Sequence, residues 1–421
     1  MVDKRILATY QIETPHPVEY AATVMAGEQS TGTFIRVPGE TEALKERFGA
    51  RVEEIRELGS VETPTLPHSK PPRAPAGSHR YRRARVVLSF PLENMGPSLP
   101  NLLSTVAGNL YELREFSGLR LMDLDLPQAF AEAYPGPQFG IEGTRRLAGV
   151  RNRPVIGTIV KPSVGLSPVE TARVVQTLGE AGLDFVKDDE LMANPPHSPL
   201  SRRVEAVMRV VNELAERTGK QLMYAFNITD EIENMLRHHD TVLKAGGTCV
   251  MVSVNSVGLP SVAHLRRHCQ LPIHGHRNGW GALTRCPFLG IELTAYQKLW
   301  RLAGVDHLHT NGLRNKFWEP DASVIQSARA CLKPFLGGYQ IMPVLSSAQW
   351  AGQAPDTFRE LESVDLMYVC GGGIIGHPGG IRAGVTSVLQ GWEAALTGKS
   401  LEEYAQDHEE LRQAIEMYGS S

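Results

Sequence analysis

Four ionisable side chains crowd the end of one apolar run. In LDFVKDDE (183–190), Lys187, Asp188, Asp189 and Glu190 follow Phe185 and Val186. Charges at the end of a buried strand are costly to desolvate unless something compensates them. Carboxylate oxygens at this spacing suit a hard divalent cation such as Mg2+. Asp188 points the opposite way from its neighbours along an extended strand, so a structural role is expected for it. Polar endings recur on other apolar runs. Lys161 closes VIGTIVKP (155–162), Asn227 closes QLMYAFNI (221–228) and Asn255 closes TCVMVSVN (248–255). LPIHGHRN (271–278) carries His274, His276 and Arg277, and VDHLHTN (305–311) carries His307 and His309. YQIMPVLS (339–346) ends at Ser346, and DLMYVCGGG (365–373) ends in Gly371, Gly372 and Gly373. Lys161 is a candidate general acid or base. Arg277 is suited to clamp a phosphate or carboxylate, and the glycine amides to cradle a phosphate. Any one of these residues alone has an ordinary structural explanation. Their recurrence on nearly every strand ending points to one site.

Between these runs lie amphipathic helical segments such as PVETARVVQTLGEAG (168–182) and RRVEAVMRVVNELAERTG (202–219), with apolar residues at three- and four-residue spacing. Eight strand–helix units in about 270 residues predict a (β/α)8 TIM barrel over 141–421, with chemistry at the strand C-termini. A doubly wound sheet is the alternative, but it lacks a G-x-G-x-x-G turn after its first strand. Upstream, ILATYQIET (6–14) and ARVVLSFPL (84–92) read as strands and VEYAATVMAGEQ (18–29) as a helix. They predict an N-terminal ferredoxin-like α+β domain over 1–140. The proline-rich, basic stretch 62–85 is expected to be a surface loop.

The formal net charge of −3 over 421 residues gives no electrostatic footprint for nucleic acid or an anionic membrane. Five scattered cysteines without zinc-site spacing fit a reducing compartment. The apolar stretch at the N-terminus is too short for a signal peptide or membrane span. A soluble cytoplasmic protein is expected.

At this level of detail the sequence resembles the large subunit of RuBisCO. GTIVKPSVGLS is similar to that family's first-strand motif, and FVKDDE to its metal-binding motif. IHGHRNG, DHLHTNGLRNKFWE, MPVLSSA and CGGGIIGHPGG resemble the fifth- to eighth-strand segments, and GEQSTGTF and GNLYEL the N-terminal segments that enter a partner's active site. The resemblance implies Mg2+ held by Asp189, Glu190 and a CO2-derived carbamate on Lys187. It implies catalytic roles for Lys161, Lys187, His276 and the loop residue Lys316. Binding roles follow for Arg277, His309, Ser346, Gly371, Gly372 and Gly373, and for Glu28, Thr33 and Asn109 of a second copy, hence at least a homodimer.

Departures from the pattern indicate the RuBisCO-like branch. Ser163 stands where carboxylases have a second lysine, Phe34 replaces a tryptophan, NKFWEP (315–320) replaces the loop pattern, and Ser347 and Ala348 replace a glycine pair. The shared chemistry is formation of an enediolate beside a carbonyl. The group acting on 3-oxo-isoapionate 4-phosphate in D-apiose catabolism fits best, by decarboxylation to L-erythrulose 1-phosphate and CO2. A transcarboxylase/hydrolase route and an isomerase or enolase of methylthioribulose-type phosphates are the alternatives. The methionine-salvage enolase needs an N-domain lysine, and none occurs between Lys70 and Lys161. A non-catalytic scaffold would have lost metal ligands or phosphate glycines, and neither is lost.

Overall fold

In β1 (Arg5–Thr14) buried side chains alternate with half-buried ones over most of its length, the pattern of a strand with one face on a core. The computed structural model describes residues 5–32, 37–71 and 80–419, so Thr33 and Phe34 lie outside the described residues. β1 pairs antiparallel with β3 (Tyr81–Pro91) and β4 (Gly118–Asp125), and β3 pairs with β2 (Arg51–Val61). With the helices Val18–Glu28 after β1 and Leu99–Ala107 before β4, the order β4-β1-β3-β2 is the ferredoxin-like β-α-β-β-α-β arrangement. The basic run 81–85 belongs to β3 rather than to a loop.

Residues up to Pro135 form one compact unit with Gly279–Leu302; Gly136–Asn278 form the other with residues from Ala303 onward. The inserted piece carries a short strand, β10 (Leu289–Ile291), which pairs parallel with β4. Thus within 279–302, a stretch expected in the barrel domain, Leu289–Ile291 joins the first unit's sheet.

The second unit is built on a closed barrel of eight parallel strands. They are β5 (Val155–Ile159), β6 (Phe185–Lys187), β7 (Met223–Asn227), β8 (Cys249–Ser253) and β9 (Ile273–His276), then β11 (His307–His309), β12 (Met342–Leu345) and β13 (Met367–Val369). β9 pairs with β11, and β13 with β5. All eight strands fall inside the runs expected from the sequence, and closure excludes a doubly wound sheet. The interior is filled by Val155, Phe185, Met223, Met251, Met342, Val344, Met367 and their neighbours. No described helix is long and apolar enough to cross a membrane.

His274 and His307 also lie in this interior. The His274 ring stacks on Phe185 at 5.2 Å, and both histidines are completely buried. Their positions on the fifth and sixth apolar runs suggest strand-end residues, but the structure places them deeper. Two-residue spacing puts them on the same face as His276 and His309 but one layer deeper. Burial pushes the His307 pKa from 6.5 to about 3 and holds that of His274 well below its usual value.

At the base, Asp306 accepts from the backbone N–H groups of Phe139 (2.6 Å), Gly140 (2.9 Å) and Ile273 (2.8 Å), and from Arg266 Nη1 at 3.0 Å. Four donors compensate one fully buried carboxylate. Replacing Arg266 with Met strands that charge, and urea unfolding should show a loss of about 3–5 kcal/mol. A second expectation concerns pH. The unfolded chain protonates its histidines below pH 6.5 while His274 and His307 stay neutral in the folded state. Stability is therefore undiminished by these groups above pH 6.5 and falls as pH drops from 6.5 toward 3. Urea midpoints across this window should fall with that slope, and His307→Gln should flatten it.

Candidate active site

Because strand side chains alternate, the residue two places beyond each interior core position sits in the next layer toward the strand C-termini. That layer holds Lys161 after Ile159, Lys187 after Phe185, Asn227 after Ala225 and Ser253 after Met251. It continues with His276, His309, Ser346 and Gly371. Lys187 is 1% exposed; its Nζ donates to the Asp188 carbonyl at 2.9 Å and lies 3.5 Å from Glu190 Oε2. Burial pushes the Lys187 pKa down, against the pull of Glu190 and Asp189. Lys161 Nζ donates to Asp189 Oδ2 at 2.8 Å and to Ser163 Oγ at 2.7 Å. Burial opposes ionisation of Asp189, yet hydrogen bonds from Lys161 and the Leu191 N–H hold its carboxyl below the usual range. His276 Nε2 lies 3.6 Å from Glu190 Oε2, and burial, with Lys187 nearby, lowers its pKa to about 4.

Asp188 faces the other way, as expected. It accepts from Tyr224 Oη (2.6 Å), the Asn227 N–H (2.9 Å) and the Arg203 guanidinium (3.2 and 3.3 Å). Arg203 also donates to the carbonyls of Met192, Ala193 and Ser198, fixing the loop after β6. The sequence reading missed it, although a lone arginine in the apolar stripe Leu200, Val204, Val207, Val211 was a visible signal.

His309 bonds to His274 through Nε2 (2.8 Å) and to Ser346 Oγ through Nδ1 (3.1 Å). Arg277 Nη2 donates to Glu319 Oε2 at 2.7 Å. Glu319 is a buried carboxylate that also accepts from Asn311 and Ser323, and nothing in the sequence pattern singled it out. Gly371 caps a one-turn helix, Gly372–Ile375, and the N–H groups of Gly371, Gly372 and Gly373 meet no acceptor among the described residues. A Cβ on Gly372 would meet open space, whereas one on Gly373 would lie 2.4 Å from the Gln349 carbonyl oxygen. Asn255 does not end a strand: the chain turns into a helix at Val254, and Asn255 Nδ2 donates to the Arg277 and Asn278 carbonyls. The inward residue that ends β8 is Ser253, which is buried.

The structure does not bring Lys316 into the buried cluster. It is exposed in the loop 312–320, with Nζ 5.3 Å from the Phe317 ring centroid. Glu28 and Asn109 belong to the first unit, and both are exposed. The residue after Glu28 reaches Asn109: with its amide oriented so that both groups find partners, the Gln29 side chain donates to the Ser104 and Thr105 carbonyls and accepts from the Asn109 N–H at 3.2 Å. On the outer helices, His239, Asp240 and His268 place ligand-type atoms within 4.8 Å of one another. However, the Gln270 N–H occupies His239 Nε2, so its Nδ1 carries the proton donated to Asp240. Neither nitrogen is left for a cation.

The family models for the ribulose bisphosphate carboxylase large chain match in two parts, the N-terminal domain over residues 1–130 and the catalytic domain over 140–418. A 3-oxo-isoapionate-4-phosphate transcarboxylase/hydrolase of Xanthobacter autotrophicus is 53% identical over 416 residues, covering 98% of this chain and 99% of that protein. A 3-oxo-isoapionate-4-phosphate decarboxylase of Rhizobium etli is 48% identical over 413 residues, covering 97% and 98%. The crystal structure of a rubisco-like protein from Burkholderia fungorum superposes with a TM-score of 0.92 at 46% identity, covering 99% of this chain and all of that one. With both domain models matched and such relatives aligned from end to end, the chain belongs to the RuBisCO large-chain family, among its RuBisCO-like members.

Proposed function

We propose that this protein decarboxylates 3-oxo-isoapionate 4-phosphate, a branched β-keto acid phosphate, to L-erythrulose 1-phosphate and CO2. The observation that carries the reading is Lys161 on Asp189, beside Lys187 and Glu190, in a chain 48% identical to a decarboxylase of that substrate. The donor set fits a hard cation, since the carboxylates of the adjacent residues Asp189 and Glu190 lie against the amines of Lys161 and of buried Lys187 respectively. Asp189, Glu190 and a carbamate formed from CO2 on Lys187 would hold Mg2+, and burial that disfavours the ammonium form suits the amine to that addition. When bound, the ion supplies positive charge beside the oxygen on which negative charge develops.

The chain's own residues then do the rest. Breaking the bond to the carboxyl carbon releases CO2 and leaves the electron pair on the adjacent alpha carbon, shared with the keto oxygen as an enediolate. Lys161 then gives a proton to that alpha carbon. His276 stays neutral beside Glu190 and is a hydrogen-bonding partner for a substrate oxygen. The free amides of Gly371, Gly372 and Gly373 take the phosphate. Arg277, and Ser346 with His309 behind it, hold the other polar end. Lys316 closes over the site from its exposed loop. Glu28, Thr33 and Asn109 of a second copy complete the pocket, which requires a homodimer or larger homo-oligomer, and the cytoplasm is the compartment we assign to it.

A transcarboxylase/hydrolase route is the second reading, favoured by the 53% identity to a protein of that name. Carbon NMR with the carboxyl-labelled substrate separates the two. Label appearing as CO2 and bicarbonate supports decarboxylation, and label retained in an organic acid supports the second route. Isomerisation of methylthioribulose phosphate, with the first substrate inert, overturns both. Lys161→Met should lower kcat roughly a hundredfold or more with the fold intact; unchanged turnover would remove Lys161 from the mechanism.

A further inference from the structure

A continuous line of hydrogen bonds runs up the inside of the barrel. Thr144 Oγ1 meets His307 Nε2 at 2.8 Å, and His307 Nδ1 meets His274 Nδ1 at 3.3 Å. His274 Nε2 meets His309 Nε2 at 2.8 Å, and His309 Nδ1 meets Ser346 Oγ at 3.1 Å. Thr144, His274 and His307 are completely buried, and His309 and Ser346 nearly so.

The direction of every bond is fixed from the bottom. Thr144 has one hydroxyl proton, and its bond to the Gly140 carbonyl must use it because a carbonyl oxygen carries none. Thr144 can therefore only accept from His307, which puts the His307 proton on Nε2. A neutral imidazole has a single N–H, so His307 Nδ1 accepts and His274 donates from Nδ1. His274 Nε2 then accepts, His309 donates from Nε2, and His309 Nδ1 is left to accept from the Ser346 hydroxyl. Burial keeps all three rings neutral, as this assignment requires.

We propose that Thr144, His307, His274 and His309 are positioning residues that commit the Ser346 hydroxyl to donating inward, so that it faces a ligand as an acceptor only. Ser346 then selects a ligand group that donates, such as a hydroxyl, and disfavours an ionised phosphate, which only accepts. Both His309 nitrogens are consumed by the chain, so His309 acts through Ser346 and makes no direct contact through nitrogen. The ligand part of this inference rests on the substrate proposed above, whereas the proton arrangement does not.

Nitrogen-15 NMR of the full-length protein with labelled histidine, without substrate, tests the arrangement. The expected tautomers are Nε2–H for His307 and His309 and Nδ1–H for His274. The opposite tautomer at any of the three, or an imidazolium at neutral pH, overturns the proposal. Thr144→Val removes the acceptor at the foot of the chain. A buried N–H without a partner is costly, so the chain should reverse: His309 moves to Nδ1–H and Ser346 turns its proton outward. Thr144→Ser, which keeps the hydroxyl, should behave as the wild type and controls for packing. With 3-oxo-isoapionate 4-phosphate, Thr144→Val should raise KM about tenfold, the size of one mismatched hydrogen bond, and change kcat much less. An unchanged His309 tautomer in a folded Thr144→Val protein overturns the chain. Changed tautomers with an unchanged KM overturn the selection by Ser346. If the wild type leaves this substrate untouched, the function assigned above fails while the tautomer result still decides the chain.

Discussion

The constraint on which the candidate site depends is that the end of β6 carries charge on both faces and each face must be compensated separately. Asp188 on the outer face is closed off by Arg203, Tyr224 and the Asn227 N–H. This leaves it no capacity to compete for Lys187 or for a cation. Once Asp188 is pinned outward, strand alternation turns Lys187 inward, and the chain leaving the strand carries Asp189 to Lys161. Arg203 does a second job, because its remaining donors hold the carbonyls of the following loop. A buried pair of this kind adds little net stability but makes any other register costly, since each partner alone would be an uncompensated charge.

The inner face is sorted by the same rule. Lys161 lies between Ser163 and Asp189, so the carboxylate nearest the proposed proton donor is already paired. A second lysine at 163 would add a cation there, whereas the Ser163 hydroxyl adds no charge beside the Lys161–Asp189 pair. Arg277 is likewise not left to solvent but held by Glu319, whose carboxylate also takes Asn311 at the start of the Lys316 loop. Asn315 bridges the Gly312 and Glu319 carbonyls within that loop. The base of the loop is therefore tied to the barrel while its tip, Lys316 to Trp318, is exposed. That is the distribution expected of a segment that closes by moving its tip and not its roots.

Much of this was legible in the sequence, for identifiable reasons. Parallel barrel strands buried on both faces read as continuous apolar runs, so all eight were found, and their polar last residues marked the mouth. β2 was not found because RVEEIRELGSV is an edge strand that is mostly exposed and shows no alternation. β10 was not found because three residues carry no period, and only their pairing with β4 makes them a strand. His274 and His307 were placed too high because residue type was read without the two-residue step along the strand. Glu319 and Thr144 act through partners 42 and 163 positions away in sequence, and no local pattern encodes such a contact; for Arg203 the apolar stripe marked the residue but not its partner 15 positions away.

Ser347 and Ala348 show what the mouth is held for. Both adopt positive φ, 76° and 65°, where the resembled pattern has glycines. A non-glycine residue there costs about 1–2 kcal/mol. The turn is nevertheless kept by contacts on every side. Ser347 Oγ donates to Asn311, Gln349 Nε2 donates to the Ser347 and Leu313 carbonyls, and Gln353 Nε2 donates to the Ala348 carbonyl. The Gln349 carbonyl in turn lies against Gly373, which has no room for a side chain. Surrounding it with side-chain amides keeps the backbone after β12 against that after β13, where the proposed phosphate site would call for fixed donors.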